Sequence, residues 1–242
     1  MTKSSIATIR TTEPAFNVKK IRIWDLPTRL FHWGFVTLAI LAFVTAKIGG
    51  NAMVYHFWCG YAILALLIFR FVWGLFGPRY ARFSAFIAGP RTFIAWMRNP
   101  DAEARRFAGH TPLGGLSVIA MLVLFAAQAM LGLFSNDDIF NDGPLVKFIS
   151  KDTSDALTGW HLLNQWVLIG LVSLHVLAIL YYRFSKKKDL IRPMIVGDKH
   201  AAHPHAAPAR DDWRVRLSAF VLLAISAAAV YEIVHLVPTA SF

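Results

Sequence analysis

The sequence predicts an all-α integral membrane protein, a four-helix bundle core followed by a fifth C-terminal transmembrane helix. Three observations predict it. Hydrophobic residues make up 56% of the 242 residues and charged residues only 16%, where a soluble domain carries about a quarter charged. Apolar stretches recur at about the 20-residue length a bilayer-crossing helix needs. The loops on one side of these stretches hold 21 Lys and Arg, and the loops on the other side hold three.

The elements follow in order. Residues 1–20 are polar, with no apolar core before a small-residue cleavage site, so the first span is expected to stay in the mature protein. The spans are expected at about 30–47, 56–76, 110–134, 157–182 and 213–237. All must be helices, because lipid cannot satisfy exposed backbone polar groups. Residues 21–196 read as the four-helix core. Residues 197–212 (GDKHAAHPHAAPARDD) read as a flexible Ala- and Pro-rich linker. Residues 213–242 read as an additional transmembrane helix. The bias of Lys and Arg places the N-terminus in the cytoplasm and the C-terminus outside. The net charge of +11 therefore reflects membrane topology, not nucleic-acid binding. The single cysteine, Cys59, excludes an intrachain disulfide framework.

Ionisable side chains within spans are costly, which makes them functional candidates. Among the nine histidines, His32, His56, His161 and His175 lie in or at the edge of the first, second and fourth spans. His161 and His175 share the fourth span, 14 residues apart. That spacing puts them within about 40° on one face and about 21 Å apart along the axis. The alternating direction of the spans then sets the depths. His56 and His161 belong near the outer surface, and His32 and His175 near the inner one. Two cross-helix pairs at two depths suit two haems, each iron taking one imidazole on either face. The alternative is four unrelated structural histidines. A zinc or di-iron centre fits worse, since the pairs are about 20 Å apart and no Asp or Glu lies beside them.

The runs IRIWDLPTRLFHW (21–33), GHTPLGGL (109–116) and GWHLLNQWVLIGLVSLHVLAILYY (159–182) resemble the prokaryotic cytochrome b561 family. That family includes the b-type cytochrome subunits of membrane-bound nickel-iron hydrogenases. The resemblance implies a multi-pass protein of the bacterial inner membrane with two haem b groups, ligated by His32, His56, His161 and His175. It also implies quinone as the membrane-soluble electron partner, with His110 and Thr111, at the start of the third span, as the candidate quinone site.

Other residues carry weaker expectations. Arg70 lies 14 residues after His56, level with the inner pair. It is a candidate for a haem propionate, or it snorkels to the headgroups. Arg22 and Arg29 are lesser propionate candidates. Trp24, Trp33, Trp58, Trp73, Trp160 and Trp166 are expected in an interfacial aromatic belt. The acidic outer loop (Asp137, Asp138, Asp142, Asp152, Asp155) suits a basic partner such as a c-type cytochrome or another redox subunit. Three functions fit the residues: a quinone-linked electron carrier with a redox partner, a stand-alone oxidoreductase acting on a small molecule such as superoxide, and a non-redox membrane scaffold. No nucleophile or general acid/base pair is evident outside the quinone candidates.

Overall fold

The computed structural model describes residues 20–100, 109–200 and 207–236. The expected N-terminal segment falls almost wholly outside these residues, as do His203 and His205. The chain order is β1 (Lys20–Arg22), α1 (Leu26–Ile48), α2 (Met53–Phe76), α3 (Pro90–Arg98), α4 (Pro112–Gly132), α5 (Lys151–Phe184), α6 (Ile191–Val196), β2 (Asp198–His200) and α7 (Trp213–Val234). Five of these helices, α1, α2, α4, α5 and α7, are long and apolar enough to cross a membrane. We call the end of the bundle where α1 begins the near end and the opposite end the far end.

Capping side chains set the helix starts, and hydropathy alone misplaces them. Asp25 caps α1, accepting the Thr28 N–H, so the helix begins at Leu26 rather than near residue 30. Ser150 caps α5 through the Thr153 N–H and extends it back to Lys151. Thr111 caps α4 through the Gly114 N–H, which leaves His110 just ahead of the helix. Such side chains satisfy backbone donors that have no partner within the helix. A short amphipathic helix, α3, lies in the near-end loop where the sequence pattern marked no element. It is buried only at Trp96, while Ile94 and Met97 are exposed.

α2 is the central helix. Ile63 and Leu67 meet Phe35 of α1 and Leu122 of α4 in the main core cluster. Another face of α2 packs against α7: Leu64 and Ala65 lie with Val230, and Phe69 and Trp73 with Ala219. The buried residues of α7 are Ala219, Ser226 and Val230. Such modest side chains let helix backbones approach closely where lipid leaves little hydrophobic drive for association. α5 runs along α4, with only Ser154 and Leu168 buried. Large apolar side chains cover the outside of the bundle, among them Ile40, Leu75, Leu174 and Phe220, as expected of surfaces that meet lipid.

The near end is closed by a two-stranded antiparallel ribbon, in which Ile21 pairs with Lys199 and Arg22 with Asp198. Here the expectation of a flexible linker needs correction. Residues 198–200 form strand β2, and after the undescribed residues 201–206 the chain is again tied down. The Ala209 N–H donates to the Arg22 carbonyl at 2.8 Å, and the Leu26 N–H donates to Asp211 Oδ1 at 3.1 Å. Arg22 pairs with both Asp198 and Asp211, and Arg216 pairs with Asp211. Burial opposes the charge on Asp211, but the Leu26 N–H, Arg216 and Arg22 outweigh it and hold its carboxyl below the usual range. Composition alone could not register these ties, because they form with the start of the chain.

Asp25 joins the ribbon to the bundle. It is fully buried and accepts from the Thr28 N–H, the Thr28 hydroxyl and, at 3.3 Å, the Trp73 indole of α2. Burial raises its pKa, and the bonds from Thr28 and Trp73 oppose the rise. Removing a capping oxygen costs about 1 kcal/mol, and stranding a buried donor costs about 1–3 kcal/mol. Asp25→Ala is therefore expected to lower the unfolding temperature clearly. Asp25→Asn, which keeps a capping oxygen and sheds the desolvated charge, should cost less. Thermal unfolding in detergent checks the order, and equal losses would contradict it.

Candidate cofactor site

The structure brings the His56 and His161 rings together at the far end, edge-on to each other. Their ring centres are 6.2 Å apart and their planes meet at 85°. Each ring is fixed from behind. His56 Nδ1 lies 2.8 Å from the Ala42 carbonyl, and His161 Nδ1 lies 3.0 Å from the Gln128 carbonyl. A carbonyl only accepts, so both Nδ1 atoms carry hydrogen and donate, which leaves each Nε2 with a lone pair. This is how metal-binding imidazoles are usually oriented. Two metal–imidazole bonds of about 2 Å in line, plus the distance from each nitrogen to its ring centre, span roughly the observed separation.

Sequence reasoning missed two residues that position this pair. The Gln128 amide donates to His161 Nε2 at 3.1 Å, on the lone pair that a metal would take in its place. Asn164 fixes that amide, donating to Gln128 Oε1 at 2.8 Å and to the Leu124 carbonyl at 2.9 Å. The available signal was polarity within apolar spans, with Asn164 three residues after His161. Space is also arranged around the rings. A Cβ at Gly60, one turn after His56, would meet nothing within 4 Å, whereas one at Gly132 would lie 3.1 Å from His161 Cε1. Gly60 thus borders open space, while Gly132 lets α4 pass close behind the imidazole.

At the near end, His32, His175 and His110 lie close enough to act on one another electrostatically. His32 Nδ1, His110 Nδ1 and Arg70 Nη1 are enclosed and lack a hydrogen-bond partner. Arg70 is 4% exposed, which rules out the snorkelling alternative. Its guanidinium sits 5.1 Å from the Phe83 ring centre and 6.0 Å from that of Phe31. A buried guanidinium with an unused N–H calls for an acceptor, and a haem propionate has the right chemistry. The residues present thus fit haem at both levels. Among the described residues, no group of three or more His, Cys, Asp or Glu could hold a bare metal ion.

The remaining candidates fall as follows. The His110 ring lies between Trp24, at 4.8 Å, and Phe86, at 4.7 Å. The Thr111 hydroxyl accepts the Gly114 N–H, so its evident task is to cap α4. Arg22 is held by Asp198 and Asp211, and Arg29 donates to the Ile195 carbonyl at 2.6 Å. Their bonds serve the ribbon and α6. The aromatic-belt expectation fails for Trp24 and Trp73, which are buried, whereas Trp33, Trp58, Trp160 and Trp166 are exposed. Cys59 is buried and free. His235 stacks on Tyr231 at 4.1 Å.

A bundle of apolar spanning helices with imidazoles facing across it at one level, and clustered at the other, defines a class of membrane protein built to hold a redox cofactor. The family model for prokaryotic cytochrome b561 matches residues 23–197, and the chain belongs to that family. It is thus a bacterial multi-pass membrane protein that carries haem b and transfers electrons across the membrane. Its curated relatives include the probable Ni/Fe-hydrogenase B-type cytochrome subunits of Bradyrhizobium diazoefficiens and Rhizobium leguminosarum. The first is 21% identical, with 81% of this chain and 92% of that protein covered. The second is 22% identical, with 77% and 92% covered. That of Azotobacter vinelandii is 23% identical, with 73% and 87% covered. No solved structure matches the chain.

The closeness of Gly132 to His161 has a measurable consequence. Gly132→Ala is expected to push the imidazole by a few tenths of an ångström. One haem should then change its absorption maximum or midpoint potential while haem content stays the same. Identical spectra and potentials would show that α4 does not set the ring's position.

Proposed function

We propose that the chain is a two-haem electron carrier linking the membrane quinone pool to a redox partner. One haem is held at the far end by His56 and His161, the other at the near end by His32 and His175. The observation that carries this reading is the approach of His56 and His161, each with Nδ1 committed to a main-chain carbonyl; Nε2 of each would take the iron, at His161 in place of the Gln128 amide that it accepts from in this structure. The 14-residue spacing of His161 and His175 on α5 supports a second site about 21 Å away along the axis. The loop charges orient the near end to the cytoplasm and the far end to the periplasm.

Haem iron, when bound, supplies a one-electron couple. The protein's residues do the rest. Paired imidazoles would hold the iron, the Ala42 and Gln128 carbonyls keep the far-end rings in one tautomer, and the apolar helices exclude water. Arg70 meets carboxylate at the near end. His110, its ring held by Trp24 and Phe86 and its Nδ1 without a partner, is positioned to bind a quinone carbonyl and pass a proton to it.

The names of the relatives favour a redox enzyme subunit as the partner. The far-end loop suits a docking role as well. Asp137 accepts the N–H groups of Ile139, Phe140 and Asn141, and this turn leaves Phe140 92% exposed. Aspartates beside an apolar tip favour a basic partner, such as a c-type cytochrome.

Two experiments test the reading. In a pyridine haemochrome assay of the purified protein, His161→Ala and His175→Ala are each expected to halve the haem per chain, removing the far-end and near-end haem respectively. Full haem content in either variant would overturn the ligand assignment. His110→Ala is expected to keep both haems and slow quinol-driven haem reduction by about 100-fold or more, the scale of losing a positioned proton donor. An unchanged rate would move the quinone site elsewhere.

A further inference from the structure

The near-end ribbon has a polarity that capping alone does not require. In an antiparallel pair, directly opposed residues project to the same face. Arg22 and Asp198 are opposed and joined by an ion pair at 2.6 Å. Ile21 and Lys199 are opposed on the other face. That face is the inner one, because Ile21 is 4% exposed and packs with Ile23, Trp24, Tyr80 and Met194. A lysine therefore occupies an inward position, the costly placement for an ammonium.

The inward face adjoins His110. Trp24 lies two residues after β1, with its N–H on the Gly197 carbonyl at 3.0 Å, and its ring lies against His110. Lys199 and Arg70 are the two permanent cations that act on the His110 ring. Asp25, the acid whose charge acts on Arg70, already receives Thr28 and Trp73.

We propose that Lys199 and Arg70 together form a two-cation clamp for the carboxylates of the near-end haem, with the β1–β2 ribbon serving to deliver the lysine. The proposal rests on the reading of His32 and His175 as haem ligands. Haem b carries two propionates, so two cations match its charge. The two come from different elements, Arg70 from the central helix and Lys199 from the ribbon. Burial, with Lys188 beside it, lowers the Lys199 pKa, a cost that an anion at the site would offset. The position is also one that the loop between α5 and α7 alone can supply, which gives that loop a role in tuning the cofactor.

The test is a potentiometric titration of the full-length protein in lipid nanodiscs, with the two haems told apart by the His161→Ala and His175→Ala variants. A cation beside the propionates favours the ferrous state, so its removal should lower the midpoint potential. Lys199→Gln is expected to lower the near-end midpoint and leave the far-end midpoint in place, while Lys199→Arg restores the wild-type value. Selective loss of the near-end haem in Lys199→Gln, with recovery in Lys199→Arg, supports the clamp equally. An unchanged near-end midpoint with both haems bound, or an equal shift of both haems, overturns the clamp and leaves the ligand assignment standing. A wild-type protein holding fewer than two haems overturns the underlying reading instead, and the clamp with it.

Discussion

An imidazole within a bilayer keeps its orientation only if something polar holds its second nitrogen, since no solvent is present to do so. In this protein the holders are main-chain carbonyls, Ala42 for His56 and Gln128 for His161. Helix carbonyls are already engaged in the ladder, yet each has a second lone pair. A residue one turn ahead of a helix crossing can therefore fix a ring on the neighbouring helix. This coupling makes the positions of α1 and α2, and of α4 and α5, interdependent. Gly132 gives α4 the room to approach, and Gln128 and Asn164 hold the adjoining amide in place.

The bundle is organised asymmetrically around this requirement. α2 is enclosed by α1, α4 and α7, and carries most of the packing. α5 leans on α4 and carries two of the four histidines, with little of its length buried. That division suits a protein that must hold flat cofactors between helices. One side is closely packed to set the frame, and the other leaves space for the ring. The fifth spanning helix belongs to the packed side, where its small residues seat it on α2.

The two ends differ in how charge is managed. At the far end, the acids of the 135–156 loop are exposed and bonded locally, as Asp137 is to the turn it organises. At the near end, charged groups are drawn inward. Asp25 is fully enclosed, Arg70 nearly so, and Asp211 ties together Arg22, Arg216 and the first N–H of α1. Burying charges is costly unless they are paired or bonded. The ribbon and its ion pairs therefore link the start of the chain to the segment before α7, which a loose connection could not do.

Much of the architecture was legible in the sequence. The five spans follow from apolar runs of bilayer length, because every lipid-facing residue must be apolar wherever the helix packs. The two histidine levels follow from helix rise and chain direction. Family membership was visible in three short runs. The rest was decided by contacts between residues far apart in the chain. Helix starts depended on caps such as Asp25 and Ser150. The burial of Trp24 and Trp73 depended on neighbours contributed by other helices. The 197–212 segment looked loose because its Ala and Pro content carries no mark of strand pairing with residues 20–22. Gln128 and Asn164 were overlooked because one amide in an apolar run has no assigned partner until two helices are set side by side. Periodicity and hydropathy fix what a segment is, whereas only the packed structure fixes what it touches.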